Sequence, residues 1–260
     1  MDVEAYLRRI GYNGPRDLSA QTLRQLHRQH LYSVPFENLD IALGISIRLE
    51  PEALFDKIVT RQRGGFCYEL NGLFYELLKA LGFSVEMLSA RVHRADGGFS
   101  REFDHMLLKV ALNESWIADV GFGDSSLDPV PMWPKAVQPD DAPEFAVLTA
   151  NGVWNLLRRQ SDGSYIPDYR FTEVPRQLND FSEMCLFHQT SPESHFTQKR
   201  VCTKALPNGR ITLSGRRLIE TRDGNRSEST LNSKEELRNC LAKQFGLQFA
   251  DDIDWSRLMR

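Results

Sequence analysis

Cys67 is the residue of this chain with the clearest chemical promise. It follows Arg61-Gln62-Arg63-Gly64-Gly65-Phe66 and opens a long apolar pattern of helical period. Two adjacent glycines permit a tight turn with dihedrals that other residues avoid. Cys67 then falls in the first turn of the helix, where free N–H groups and the positive end of the dipole favour a thiolate. Arg61 and Arg63 add positive charge. The competing reading is a small buried hydrophobe, which is the ordinary fate of a free cysteine and the expectation for Cys185, Cys202 and Cys240.

A cysteine nucleophile needs a base, and the base an orienting group. Six histidines are available. His27 and His30 fall on a helix and read as core or surface residues. His93 ends a strand before a turn, and His188 and His195 lie near loops with no acidic residue at a telling spacing. His105 differs because it opens the apolar strand HMLLKVAL, where an imidazole without a partner is costly. Asp119 is the matching oddity inside Trp116-Ile117-Ala118-Asp119-Val120. A carboxylate accepting an imidazole N–H resolves both problems, fixes the tautomer and stabilises the imidazolium that would hold Cys67 ionised. A purely structural pair is the alternative. A two-residue turn at Asn113-Glu114 would place His105 and Asp119 on opposite faces, so sharing a face requires an odd loop or a bulge.

These residues must be positioned by a chain of 260 residues, 41% apolar and 26% charged, which is enough to bury a sizeable core in one large or two to three small units. No apolar run approaches the ~18 residues of a membrane span. The start, MDVEAYLRRIG, lacks the apolar stretch of a signal peptide. Thirty-two Lys and Arg against 35 Asp and Glu give net −3, with no basic footprint for nucleic acid. The four cysteines form no CxxC pair, so no metal site is expected, and free thiols point to a reducing cytoplasm.

The first eighty residues read as helices. Asp2 caps Val3, Tyr6, Leu7 and Ile10, and Ser19 caps Leu23, Leu26, His27 and His30. Pro51 starts a third helix. Leu70, Leu73, Phe74, Leu77, Leu78 and Leu81 form the long one, stopped by Gly82. The period then changes. Residues 84–93, 105–112, 115–120, 145–149, 153–159 and 169–174 read as strands of a small barrel or sandwich, with an irregular Gly-, Pro- and Asp-rich segment over 121–143. A short helix over 178–188 precedes strands at 199–204, 210–214 and 216–222. Ser233 with Glu236 predicts a capping box for a last helix through Phe245. The expected class is α+β: a helical bundle over 1–84 carrying the nucleophile, a β barrel over 85–190 carrying His105 and Asp119, and an α/β lid over 191–260.

Taken together the motifs resemble the arylamine N-acetyltransferase family. They are Val34-Pro35-Phe36-Glu37-Asn38-Leu39, Arg63-Gly64-Gly65-Phe66-Cys67-Tyr68-Glu69-Leu70-Asn71, His105-Met106-Leu107-Leu108, Asp119-Val120-Gly121-Phe122-Gly123 and Ser191-Pro192-Glu193-Ser194-His195-Phe196. They run in the family's order across essentially the whole chain. The resemblance implies a cysteine-protease-like triad of Cys67, His105 and Asp119, acetylated by acetyl-CoA and discharged onto an arylamine, arylhydroxylamine or hydrazine in a ping-pong cycle. It implies Phe36, Phe122 and Phe196 around the acyl and aryl groups, and Gly121, Gly123 and Asp104 beside CoA. The Cys67 N–H is a candidate oxyanion donor. Glu37 and Arg63 are expected to pair and hold the catalytic turn. A monomer or homodimer is expected, with CoA and a small aromatic amine or hydrazine as partners and no metal.

Asp104 departs from the family pattern, which often has a small hydroxyl residue before the histidine. Its charge calls for compensation, with Arg101, Lys109 and Lys204 as candidates. The segment over 121–143 is short beside that of mammalian members, which implies a bacterial type. Two other enzyme classes share the triad logic: amide synthases of antibiotic biosynthesis, and cysteine hydrolases or transglutaminase-like enzymes. A binding module that kept the fold is the non-enzyme alternative.

Overall fold

The helical reading of the first eighty residues holds in the computed structural model, which describes residues 1–124, 126–132, 143–250 and 253–259. Helix α1 (Val3–Ile10) starts where Asp2 accepts a hydrogen bond from the Ala5 N–H at 2.9 Å. Helix α2 (Ala20–Ser33) starts where Ser19 accepts one from the Thr22 N–H at 3.2 Å. A two-residue strand β1 (Phe36–Glu37) and a short α3 (Leu39–Leu43) follow. Next come α4 (Pro51–Phe55), prolonged by a π-turn over Asp56–Thr60, and α5 (Cys67–Ala80). Leu70, Leu73, Phe74 and Leu77 of α5 are fully buried, so this helix is the spine of the largest core.

Seven strands then form one antiparallel sheet. They are β2 (Ser84–Val92), β3 (His105–Ala111), β4 (Ser115–Ala118), β5 (Val130–Pro131), β6 (Phe145–Ala150), β7 (Val153–Arg159) and β8 (Tyr165–Phe171), in the spatial order β5-β4-β3-β2-β8-β7-β6. A bridge between Met132 and Val147 ties the two edges together, so the sheet nearly closes into a barrel. Of the irregular segment expected over 121–143, residues 125 and 133–142 lie outside the described residues. Strand β8 begins four residues before the expected 169. It pairs with β7 from Trp154 to Arg159, and Pro167 is tolerated because the register shifts between Leu156 and Leu157 opposite it.

The last part begins with a 3₁₀ turn over Leu178–Phe181, α6 (Ser182–Thr190) and α7 (His195–Gln198). Strands β9 (Val201–Leu206), β10 (Gly209–Ser214), β11 (Arg217–Arg222) and β12 (Asn225–Thr230) form a second antiparallel sheet. Helix α8 (Lys234–Phe245) covers it, burying Leu237, Leu241 and Phe245 with Ile211 and Leu213, and α9 (Trp255–Leu258) closes the cluster. Ser233 caps α8, but Glu236 reaches the Asn232 N–H at 2.6 Å rather than that of Ser233. The second sheet also takes a strand from the helical part, because β1 pairs with β9 through Phe36–Thr203 and Glu37–Cys202. The class is α+β. Among the described residues no helix is long and apolar enough to cross a membrane.

Candidate active site

Cys67 is the first residue of α5, as its spacing predicts. Glu69, in the first turn, reaches back to accept a hydrogen bond from the Phe66 N–H at 3.1 Å. The glycines before it serve a purpose other than unusual dihedrals. The positive φ in this loop belongs to Gln62, at +51°. Gly64 is required by close approach, since a Cβ there would lie 2.1 Å from the Pro35 carbonyl oxygen. The loop is clamped by buried charges. Arg63 donates to Glu37 at 2.6 Å and to Asp40 at 2.8 Å, and Lys57 bridges Asp40 at 2.8 Å and Glu69 at 2.7 Å. The Glu37–Arg63 pair is the one the sequence suggests.

The question of faces is settled by the turn between β3 and β4. Ala111 pairs with Ser115 and Leu108 with Ala118, which leaves a three-residue loop and puts residues of equal parity on one face. His105 and Asp119 therefore share a face, and His105 Nε2 donates to Asp119 Oδ2 at 2.8 Å. Tyr169 donates to the same oxygen at 3.0 Å. The other carboxylate oxygen accepts from Asn71 Nδ2 and from the Gly121 N–H, both at 2.9 Å. Burial alone would push Asp119 up. The charge of His105 and hydrogen bonds from His105, Asn71 and Gly121 hold it below the usual carboxylate range.

Cys67 and His105 face a common cavity of about 460 Å³. Phe36, Phe122 and Phe196 line it, as do Gly121, Gly123 and Asp104, whereas Asp119 sits behind His105. Phe122 meets the His105 ring edge-on at 5.1 Å between centroids, and Phe36 lies 6.1 Å from Phe196. Gly121 packs directly on Cys67: a Cβ there would lie 2.9 Å from both its Cα and its O. Its missing side chain therefore has a cause in the protein itself. The Gly123 carbonyl accepts a hydrogen bond from Arg210, whose guanidinium also pairs with Asp124 at 2.8 Å.

Burial pushes the Cys67 thiol well up, and the Asp104 carboxylate pushes the same way, while a backbone hydrogen bond at Met106 opposes them. The helix start thus does not by itself leave a free thiolate, and any ionised sulfur requires its proton to be held close by. Asp104 is offset by groups other than those its sequence neighbours suggest. Lys109 pairs with Glu173 at 2.6 Å and Arg101 lies 3.5 Å from Glu193. His188 instead places Nε2 3.2 Å from Asp104 Oδ1.

Three residues at the site carry more than the sequence reading gave them. Asn71 stands one helical turn after Cys67, on the same face of α5, and that spacing was a usable signal. Its amide donates to the Met106 carbonyl at 2.7 Å as well as to Asp119, and its oxygen accepts from the Val120 N–H at 2.9 Å. His27 is no mere filler. Its Nε2 accepts from the Asp119 N–H at 3.1 Å and its Nδ1 donates to the Leu127 carbonyl at 2.9 Å, so both nitrogens are engaged by a neutral ring. Tyr169 reaches Asp119 from β8, and no local pattern marks it. Among the described residues no cluster of His, Cys, Asp and Glu has the grouping of a metal site.

With this geometry in place, comparison with known proteins is informative. Residues 19–253 match the family model described as N-acetyltransferase. Human arylamine N-acetyltransferase 1 is 34% identical over 273 residues, covering 95% of this chain and 94% of the relative. Arylamine N-acetyltransferase of Mycolicibacterium smegmatis is 36% identical over 258 residues, covering 96% and 94%. The solved arylamine N-acetyltransferase from M. tuberculosis superposes with a TM-score of 0.90 at 31% identity, covering 100% of both chains. That from Mycobacterium marinum, solved in complex with CoA, gives 0.88 at 31% identity, covering 99% of this chain and 97% of the other.

Proposed function

This chain belongs to the arylamine N-acetyltransferase family and is an acetyltransferase, and from that premise we propose that it moves acetyl from acetyl-CoA to arylamines, arylhydroxylamines or arylhydrazines through a thioester on Cys67. On this reading the helical part supplies the nucleophile, and the barrel supplies His105 as base and Asp119 as its brace. The carrying observation is that Cys67 and His105 open onto one cavity while Asp119 holds His105 from behind at 2.8 Å. CoA in the M. marinum relative supports CoA as the donor here.

Because Nε2 is bonded to Asp119, proton exchange with the sulfur falls to Nδ1 of His105. The Cys67 proton passes to Nδ1, and the sulfur forms a bond to the acetyl carbonyl carbon. The carbon–sulfur bond to CoA breaks, and the leaving thiolate takes the proton from the imidazolium. In the second half the amine nitrogen bonds to the same carbon, the bond to Cys67 breaks, and His105 carries the nitrogen's proton back to the sulfur. Exchanging one thioester for another costs little, so one residue serves both halves. A proton moved within the buried Cys67–His105 pair changes no net charge, which is how burial and an ionised sulfur are reconciled. The Cys67 N–H, first of α5 and without an intrahelical acceptor, is the candidate oxyanion donor. Phe36, Phe122 and Phe196 supply flat apolar walls for the aryl ring. Gly121, Gly123 and Asp104 line the cavity that the donor enters.

Intact-protein mass spectrometry tests this. Acetyl-CoA is expected to add one acetyl group, an aniline to remove it, and Cys67→Ala to prevent it. A wild-type protein that stays unmodified under turnover conditions refutes the mechanism.

A further inference from the structure

Two carboxylates line the cavity, and they are not equivalent. Asp124 is met by Arg158 and by Arg210, each at 2.8 Å, so two guanidinium groups cancel its charge. Asp104 has no such partner among the described residues. His188 lies 3.2 Å from its Oδ1, and His188, Ser100 and His195 each favour its ionised form. An imidazole is not a permanent cation, and His188 Nδ1 is itself engaged with Ser194 at 3.0 Å. The Asp104 side chain is 16% exposed; burial pushes its carboxyl up, but these neighbours outweigh burial and hold it below the usual carboxylate range, so it stays an anion in the cavity wall. It also stands in the wall between this cavity and a second one of about 360 Å³, so it faces open space on two sides.

Much of the remaining lining is apolar (Phe36, Phe122, Phe196, Val92 and Val201), and its other polar side chains include the neutral hydroxyls of Thr203 and Thr212. The remaining cation of the lining, Lys199, is exposed, and solvent screens it. Asp104 lines the same cavity as Cys67 and His105, so an acceptor that reaches the Cys67 thioester shares that cavity with its carboxylate. A largely buried carboxylate gains from a cation or an N–H donor and loses against an anion.

We propose that Asp104 determines acceptor choice: the enzyme favours aromatic amines or hydrazines that carry a cation or a second N–H donor away from the reacting nitrogen, and disfavours those that carry a carboxylate. This rests on the acetyl-transfer reading above. A ping-pong cycle makes the test clean, because all acceptors meet the same acetyl-enzyme. Effects of Asp104 on Cys67 therefore cancel in the ratio between two acceptors.

The probes are 4-aminobenzamidine, 4-aminobenzamide and 4-aminobenzoate, which share a ring and a nucleophile and differ in charge. For the wild type, kcat/KM is expected to fall in that order once each is divided by its value for Asp104→Asn. Each step is expected to be about tenfold, the size of one charge interaction across a half-solvated cavity. His188→Gln, which removes the partial neutraliser, is expected to widen the spread where Asp104→Asn narrows it. Asp104→Ser serves if the asparagine variant fails to form acetyl-enzyme. Opposite movement by the two substitutions supports the assignment. Equal ratios in wild type and both Asp104 variants, with acetyl-enzyme formed normally, overturn it while leaving the thioester mechanism intact. Failure of the wild type to form acetyl-enzyme overturns both.

Discussion

Replacing Asn71 with alanine removes a buried strap that holds three segments of the site. Asn71 is fully buried and makes hydrogen bonds to the Met106 carbonyl, the Val120 N–H and the Asp119 carboxylate, at 2.7, 2.9 and 2.9 Å. Alanine leaves the two backbone groups without that partner in a dry interior, at about 1–3 kcal/mol each, and leaves a small void. The expected loss of unfolding free energy is about 3–5 kcal/mol, out of the roughly 5–15 kcal/mol typical of a domain, so the variant still folds at low temperature. Asp119 also loses one of its four donors, so its carboxyl moves up towards the ordinary range and braces His105 less firmly. With Val120 and Met106 released, the alignment of His105 with Cys67 loosens, and a displacement of about 1 Å costs on the order of 100-fold in rate. Urea denaturation followed by tryptophan fluorescence measures the first effect, and stopped-flow acetylation of Cys67 by acetyl-CoA the second. Asn71→Asp sharpens the test, because it sets a second carboxylate against Asp119 and is expected to acylate more slowly still. An alanine variant within about 1 kcal/mol of wild-type stability and within threefold of its acylation rate would refute the strap.

Iodoacetamide is expected to alkylate Cys67 first: all four thiols are buried, but Cys67 lines the cavity of about 460 Å³ through which the reagent can reach it. Peptide mapping reads the order, and His105→Gln should move the alkylation midpoint to higher pH, because burial and Asp104 then act on the thiol unopposed by a nearby imidazolium. Burial lowers the proton affinity of His27 and, further, of His30, whose Nε2 has no hydrogen-bond partner among the described residues. The unfolded chain therefore binds protons that the fold does not, and stability is lost as pH falls below about 6.5, by about 1.4 kcal/mol per pH unit for each ring. Denaturation at several pH values should show the slope reduced by about half in His30→Gln. Gly121→Ala is expected to cost about 1–3 kcal/mol, because its Cβ meets the Cys67 backbone, and to slow acetylation while the KM for acetyl-CoA changes less.

Local chemistry made much of this legible before any coordinates. Asp2, Ser19 and Ser233 mark helix starts because a short polar side chain satisfies a backbone N–H there, and all three do so. Cys67 could be placed at a helix start because the apolar period begins beyond two glycines. What stayed hidden was non-local. Whether His105 and Asp119 share a face depends on one residue in a loop, which strand patterns cannot count. The pairing of Phe36–Glu37 with β9 joins segments far apart in sequence, and β12 is fully exposed, so it has no apolar alternation to announce it. His188, in α6, has no acidic partner nearby in sequence because its partner, Asp104, comes from the residue before β3, far earlier in the chain.

The buried charges beneath the loop before α5 follow from the glycines above them. Gly64 cannot carry a side chain because the Pro35 carbonyl occupies the space, so this residue contributes no side-chain contact of its own to fix the loop. Residues flanking it must do so instead: Arg63 before it and Glu69 after it. Arg63 reaches Glu37 and Asp40, lies over the Phe249 ring at 4.1 Å, and thereby pins the loop to β1, α3 and the C-terminal part. Lys57 closes the circuit from Asp40 to Glu69. By count the cluster holds one more carboxylate than cations, a surplus that ion pairing alone would leave unmet in a buried place. The remaining oxygens find helix starts. Glu37 accepts the Leu39 N–H at 2.8 Å where α3 begins, and Glu69 accepts the Phe66 N–H where α5 begins. Both N–H groups belong to the positive end of a helix, so the surplus charge is met by dipoles that also need acceptors. Such a cluster adds little stability over a well-packed apolar one, but it tolerates only one arrangement of its donors and acceptors. That property suits the role proposed for Cys67, since the direction of this first residue of α5 is set by the turn that precedes it.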